Sequence, residues 1–149
     1  MKQEIRFNSP TPSEYDSVFS NFVASVVLLD GLEYPTVEHA YQAAKTLDQE
    51  ERLVIQGLLT AGKAKRAGRK VTMREDWEDI KYGVMLKLQI QKFSVQPLKK
   101  DLLDTGDASI FEDASQWNDT EWGLGRDGSG KNLLGRALME ARTVISNKR

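Results

Sequence analysis

The chain has 149 residues, 29% of them charged and 40% hydrophobic, with 21 basic residues against 22 acidic ones. With no Cys and a single His, His39, it excludes thiol catalysis, iron–sulfur and zinc-finger sites and His-rich metal cages, and a chain of this size buries enough surface to fold without disulfides or structural metal. A net charge of −1 argues against a protein that coats nucleic acid by bulk electrostatics, for which a pI above about 9 is expected, and leaves local patches open.

The N-terminal stretch Met1 to Asn8 carries charge where a secretory signal has its apolar core, which predicts a cytoplasmic protein. Glu4 to Phe7 and Ala24 to Leu29 read as short β-rich segments, and Asp30-Gly31 before Leu32-Glu33-Tyr34 carries the Asp-Gly signature of a tight hairpin. Together they predict a small antiparallel sheet near the N-terminus. The longest apolar run, Val23 to Leu29, is interrupted by Ser25 and falls far short of the roughly 20 residues of a bilayer span, so no membrane helix is expected.

After Pro35, Thr36 caps a predicted helix to about Leu47, with Val37, Ala40, Tyr41 and Ala44 at the i, i+3, i+4, i+7 spacing of a buried stripe. Further helices are expected from about Gln49 to Leu59 and from Lys63 to Ala67, punctuated by Thr60, Gly62 and Gly68. From Glu75 to Phe93, the positions Trp77, Ile80, Val84 and Leu88 fall on one face of a long amphipathic helix that stops before Pro97. A short helix over Pro97 to Asp104, a brief strand over Ser109 to Glu112 and a closing helix over Leu133 to Ile145, with Leu134, Leu138, Ala141 and Ile145 on its core stripe, complete the series. Asp113 to Asn132 is polar and aromatic, with four glycines and neither period; an irregular segment of about twenty residues inside a domain is a common place for function. The expectation is one domain over residues 1–149.

On the helix after Thr36, Glu38, Gln42 and Lys45 follow i, i+4, i+7 and lie within about 60° of one another. Two readings stand: a solvated helix edge, with Glu38 favoured by the positive helix N-terminus, or a carboxylate and an amine facing one cleft, able to stabilise an oxocarbenium ion and to attack a sugar C1. His39 points roughly 100° away from Glu38 and reads as a packing or supporting residue.

The run Gly125-Arg-Asp-Gly-Ser-Gly-Lys-Asn132 matches G-x-x-x-x-G-K-[ST] until its last position, where Asn132 replaces the magnesium-binding hydroxyl. No hydrophobic strand precedes it, so an NTPase is not the reading. Its amides either cradle a phosphate without magnesium or form a turn that lets the chain approach the core. Asp119 and Trp122, with Trp117, Glu121 and Glu112 nearby, suit a flat heterocycle on a sugar, the ring stacking on an indole while a carboxylate works at the anomeric carbon. The alternative is that these indoles only pin the loop to the core. Lys63, Lys65, Arg66, Arg69, Lys70 and Arg74 form a basic stretch, read either as a solvated face or as phosphate contacts.

These segments together resemble the NADAR, or YbiA-like, family. The matching stretches are Phe19-Ser-Asn-Phe22, Tyr34 to Lys45, Ala64 to Arg69, Arg74 to Lys81, Lys92-Phe93, Leu103 to Gly106, Glu112, Trp122-Gly-Leu-Gly125 and Asn132 to Arg142, in family order over nearly the whole chain. The resemblance implies a compact, helix-dominated α+β fold and an N-glycosidase that cleaves a ribose–heterocycle bond, acting on ribosylamino intermediates of riboflavin synthesis or on ADP-ribose attached to guanine. It implies Glu38, Trp77, Asp119 and Trp122 as site residues, Lys45 and Glu112 as further candidates, and Asn21 and Arg126 as holding the sugar or its phosphates.

On that basis Glu38, Lys45 and Asp119 are the expected catalytic residues, and Asn21, Trp77, Glu112, Trp122 and Arg126 the expected substrate contacts. No metal or cofactor is called for. The expected partner is a nucleotide-like substrate, with nucleic acid as its carrier when the base is a modified guanine, and the chain is expected to be a monomer or weak dimer. A binding module that recognises ADP-ribose or a related nucleotide without cleaving it is the rival reading.

Overall fold

The structure, a computed structural model, describes residues 3–148; Met1 and Lys2 of the charged N-terminal stretch lie outside the described residues. Its elements run β1 (Glu4–Phe7), α1 (Asp16–Phe19), β2 (Val27–Leu29), β3 (Leu32–Tyr34), α2 (Val37–Ala44), α3 (Gln49–Gln56), α4 (Ala61–Ala67), α5 (Trp77–Lys92), α6 (Leu98–Leu103), β4 (Ser109–Glu112) and α7 (Leu133–Asn147). Helices dominate and strands are short, an α+β architecture. Among the described residues no helix is long and apolar enough to cross a membrane. The elements gather into two compact units, Asn21–Lys92 and the chain up to Ser20 taken with that from Phe93 onward.

In the unit Asn21–Lys92, the expected hairpin forms: β2 and β3 pair antiparallel from Val27↔Tyr34 to Leu29↔Leu32. Asp30 and Gly31, at φ 50° and 83°, take the left-handed conformations that a two-residue turn of this twist requires. The Gln91 side chain closes the outer edge of β2, accepting from the Leu28 amide at 2.7 Å and donating to its carbonyl at 2.8 Å.

Thr36 caps α2 by accepting from the His39 amide at 3.0 Å. Every residue of α2 is buried, because α3, α4, α5 and the hairpin strands all pack on it. The helix ends before the expected Leu47. Lys45 is its C-cap, and Thr46 leaves the helix to bridge Met73 and to accept Arg52 Nε on its carbonyl at 2.8 Å. Helix α4 turns its small residues Ala61, Ala64 and Gly68 inward. A Cβ on Gly68 would stand 1.9 Å from Gln42 Oε1, so glycine is what lets the Gln42 carboxamide lie there.

The apolar face expected on α5 is rotated in the structure. Trp77 and Leu88 are buried together with Met85, Gln89 and Lys92, whereas Ile80 and Val84 are half-buried. The reason is a groove of about 560 Å³ along this side of α5, which Ile80 and Val84 line with Leu28, Leu29, Ala44 and Arg74.

In the other unit, β1 pairs in parallel with β4, from Glu4↔Ser109 to Phe7↔Glu112, and takes no part in the antiparallel sheet that was expected to include it. Alternation of apolar residues tells which face of a strand is buried, not which distant strand pairs with it. Phe7, Phe19 and Phe93 form an aromatic cluster with centroid separations of 5.7 Å. The one-turn helix α1 has no counterpart in the sequence pattern; Asp16 stabilises the approach to it by accepting the Asn8 and Ser13 amides at 2.7 and 3.1 Å.

Helix α7 packs on β4, buries the expected stripe of Leu134, Leu138, Ala141 and Ile145, and comes so close that a Cβ on Gly135 would lie 2.1 Å from the Ile110 carbonyl oxygen. Asn132, left-handed at φ 54°, bolts the two together: its Oδ1 accepts from Glu112 N at 3.0 Å and its Nδ2 donates to Ile110 O at 2.9 Å.

Candidate functional site

Glu38 sits in the first turn of α2, its amide donating to the Asn21 carbonyl at 3.1 Å. Only 7% of the residue is exposed, which rules out the solvated helix edge as the reading of this position. Its Oε1 accepts from Gln42 Nε2 at 2.7 Å, one helical turn on. Burial pushes the Glu38 carboxyl above its ordinary value near 4.5, while the Gln42 hydrogen bond and the charges of Lys65, Lys45 and His39 pull it back. The Gln42 Oε1 is buried without a hydrogen-bond partner among the described residues.

Lys45, at the C-terminal end of α2, places Nζ 5.7 Å from the centroid of the Tyr41 ring. That ring meets Trp77 at 5.1 Å with planes inclined by 59°. An amine, a phenol ring and an indole therefore run along one side of α2. Asn21 joins by its carbonyl on Glu38 N and by its buried carboxamide, which accepts from Gln89 Nε2 at 2.7 Å and donates to Met85 Sδ at 3.7 Å. Of the expected site residues, the structure brings Asn21, Glu38, Lys45 and Trp77 together around α2.

His39 behaves as the packing residue it was expected to be. Nδ1 lies 2.7 Å from Thr36 Oγ1 and Nε2 2.9 Å from the Leu58 carbonyl, a pairing that is complete when Nε2 carries the proton. The basic stretch divides. Lys63, Arg66, Arg69 and Lys70 are exposed, Arg74 pairs with Asp76 at 2.6 Å, and Lys65 is half-buried near Glu38. Gln42, Tyr41, Lys65 and Gly68 belong to the surroundings of the site yet were not singled out as site residues. Gln42 had a signal in its i+4 spacing from Glu38, and Tyr41 was hidden by its place in the apolar stripe.

In the other unit, Asp119 is half-buried and its Oδ1 accepts from the Glu121 and Trp122 amides at 3.0 and 2.9 Å, an Asx turn that sets the course of the loop at Trp122. Glu112 is buried at the end of β4, with Oε2 accepting from Asn8 Nδ2 at 2.8 Å. Arg126 is exposed, and its amide donates to Asn118 Oδ1 at 3.0 Å. The structure thus joins Asp119 to Trp122 through the loop backbone.

The glycine-rich run is a packing device and not a phosphate cradle. The amides of Gly130, Lys131, Asn132, Leu133 and Leu134 donate to the carbonyls of Leu124, Thr120, Gly123, Glu121 and Trp122, so the donors a phosphate would need are used within the chain. A Cβ on Gly130 would lie 2.3 Å from the Gly123 carbonyl oxygen, which explains the glycine without a ligand. Asn132, where a P-loop has its hydroxyl, is the bolt between β4 and α7.

The fold has a solved counterpart: the NMR structure of the Escherichia coli protein YbiA matches with a TM-score of 0.83 at 38% identity, covering 98% of this chain and 87% of that one. At the sequence level, N-glycosidase YbiA of Escherichia coli (strain K12) is 38% identical over 147 residues, 97% of this chain and 91% of that one. A riboflavin biosynthesis protein of Vibrio vulnificus is 36% identical over 148 residues, which are 97% of this chain but 39% of the Vibrio protein. The enzyme class these findings define is that of the N-glycosyl hydrolases. The NADAR domain model matches residues 6–146, through both units, and the chain belongs to the NADAR family.

Proposed function

We propose that the chain hydrolyses the bond between a ribose and a heterocyclic base, with ADP-ribose on guanine or a ribosylamino intermediate of riboflavin synthesis as its substrate. The observation that carries this reading is the buried Glu38 carboxylate, held by Gln42, under the influence of the Lys65 and Lys45 charges and on the helix whose Tyr41 ring packs against Trp77 of α5. As an N-glycosidic bond breaks, the ribose C1 becomes electron-poor, and an ionised carboxylate screened from water offsets that charge more strongly than one in bulk solvent. Water supplies the hydroxyl that C1 gains and the proton that the departing nitrogen takes.

In this mechanism Glu38 faces C1, Trp77 offers the stacking face for the base, and Asn21 helps to hold the sugar. Lys45 has two available roles: it orients the water, or its amine bonds to C1 as the base leaves, the C1–O4′ bond opens to give an imine, and water hydrolyses that imine to free the amine. On the family pattern Asp119 is the second carboxylate, Trp122 a further stacking ring, and Glu112 and Arg126 further substrate contacts. The Vibrio relative, a riboflavin biosynthesis protein, supports the riboflavin arm; the guanine arm rests on the family resemblance and adds nucleic acid as substrate carrier. A cytoplasmic monomer or weak dimer belongs to the same proposal.

The test is release of free base from ADP-ribosylated guanine and from a ribosylamino pyrimidine phosphate, assayed side by side by chromatography. Release from one of them assigns the substrate class; no release from either overturns the proposal, and tight binding without release then establishes the binding-module rival. Borohydride added during turnover separates the roles of Lys45, because a substrate-dependent mass increase on that residue requires the imine.

A further inference from the structure

Helix α4 does more than pack. Ala61, Ala64 and Gly68 are buried, α4 lies against α2, and Gly68 is the position whose missing Cβ leaves room for the Gln42 carboxamide that holds Glu38. Lys65 follows Ala61 by one turn and precedes Gly68 by three residues, so the same helix face that clears space for Gln42 also carries an amine. It is half-buried, unlike its exposed neighbours Lys63, Arg66 and Arg69.

We propose that Lys65 is a positioning residue of the site, a cation carried by α4 that keeps the buried Glu38 carboxylate ionised for its work at C1. The inference rests on the reading of Glu38 given above. Among the charges acting on Glu38, Lys65 precedes Lys45 and His39 in size, and all three oppose the effect of burial. Of the other elements packed on α2, α3 engages Arg52 with Asp30 and the Thr46 carbonyl and Glu51 with Thr46, β3 brings the buried Tyr34 hydroxyl, and α5 brings the Trp77 ring. Without a cation on α4, a carboxyl this enclosed takes up a proton at higher pH and loses its charge where the reaction needs it.

The experiment compares wild type with Lys65→Met and Lys65→Arg, using Glu38→Gln to assign the signal. Carboxyl-carbon NMR of the ligand-free protein reads the Glu38 midpoint without any activity, and the pH profile of kcat/KM reads its consequence. The expected result is a Glu38 midpoint about one pH unit higher in Lys65→Met, an acid limb that moves with it, a change in kcat larger than that in KM, and recovery of both in Lys65→Arg. An unchanged midpoint in a folded Lys65→Met protein overturns the proposal, and Lys65→Gln takes its place if the methionine variant does not fold. Should the midpoint move while wild type releases no base from either substrate, the role of Lys65 beside Glu38 stands and the reading of the activity falls.

Discussion

Glu38 is costly to the fold, and the cost has a pH dependence. Its carboxyl is raised by burial, so the native chain holds a proton there that the unfolded chain has already released once the pH passes the ordinary value near 4.5. Native stability therefore falls as pH rises from that value through the raised one. Glu38→Gln keeps an acceptor for Gln42 Nε2 and has no proton to lose. Its Tm, compared with wild type across this range, is expected to improve relative to wild type as pH rises, while kcat falls by about 10²–10⁴-fold. Calorimetry and the base-release assay check the two halves. Asp119 poses a different question, because one of its oxygens shapes the loop. Asp119→Asn retains an acceptor for the Glu121 and Trp122 amides and removes the charge. Asp119→Ala loses both, so a loss of turnover equal in the two variants, with loop amide NMR shifts only in the alanine one, isolates the charge as what the reaction uses.

At the scale of elements, much was legible because the signals were local. The Thr36 cap, the Asp30-Gly31 turn and the stripe of α7 depend on residues a few positions apart, and each formed as its pattern implied. The parallel partner of β1 and the burial of Glu38 were not legible, since both depend on elements far along the chain. Spacing placed Glu38 and Gln42 on one stripe, but the elements packed on α2, α4 with its small residues among them, made that stripe an interior one. Gly68→Ala tests this directly. Its backbone lies in the ordinary helical region, so the new methyl acts through Gln42, and turnover is expected to fall about tenfold with a stability loss of about 1–3 kcal/mol measured by denaturant unfolding. Asn132→Ala removes the bolt between β4 and α7 and strands two buried backbone groups. A loss of about 2–4 kcal/mol is expected by the same measurement.

For the whole molecule, the family match runs through residues 6–146 and so takes in residues of both units. Global stability carries a second pH signature. Burial lowers Lys92 from 10.5 to about 7, so above that pH the native chain has shed a proton that the unfolded chain keeps up to the ordinary lysine value. Stability from this group rises between about pH 7 and 10 and is absent below. Lys92→Met is expected to flatten that rise, which urea unfolding at several pH values will show. The Gln91 carboxamide on Leu28 has a bearing on solubility. A strand whose outward amide and carbonyl are already satisfied by its own chain offers no template to a neighbouring molecule, and the exposed leucine between them stays harmless at high concentration.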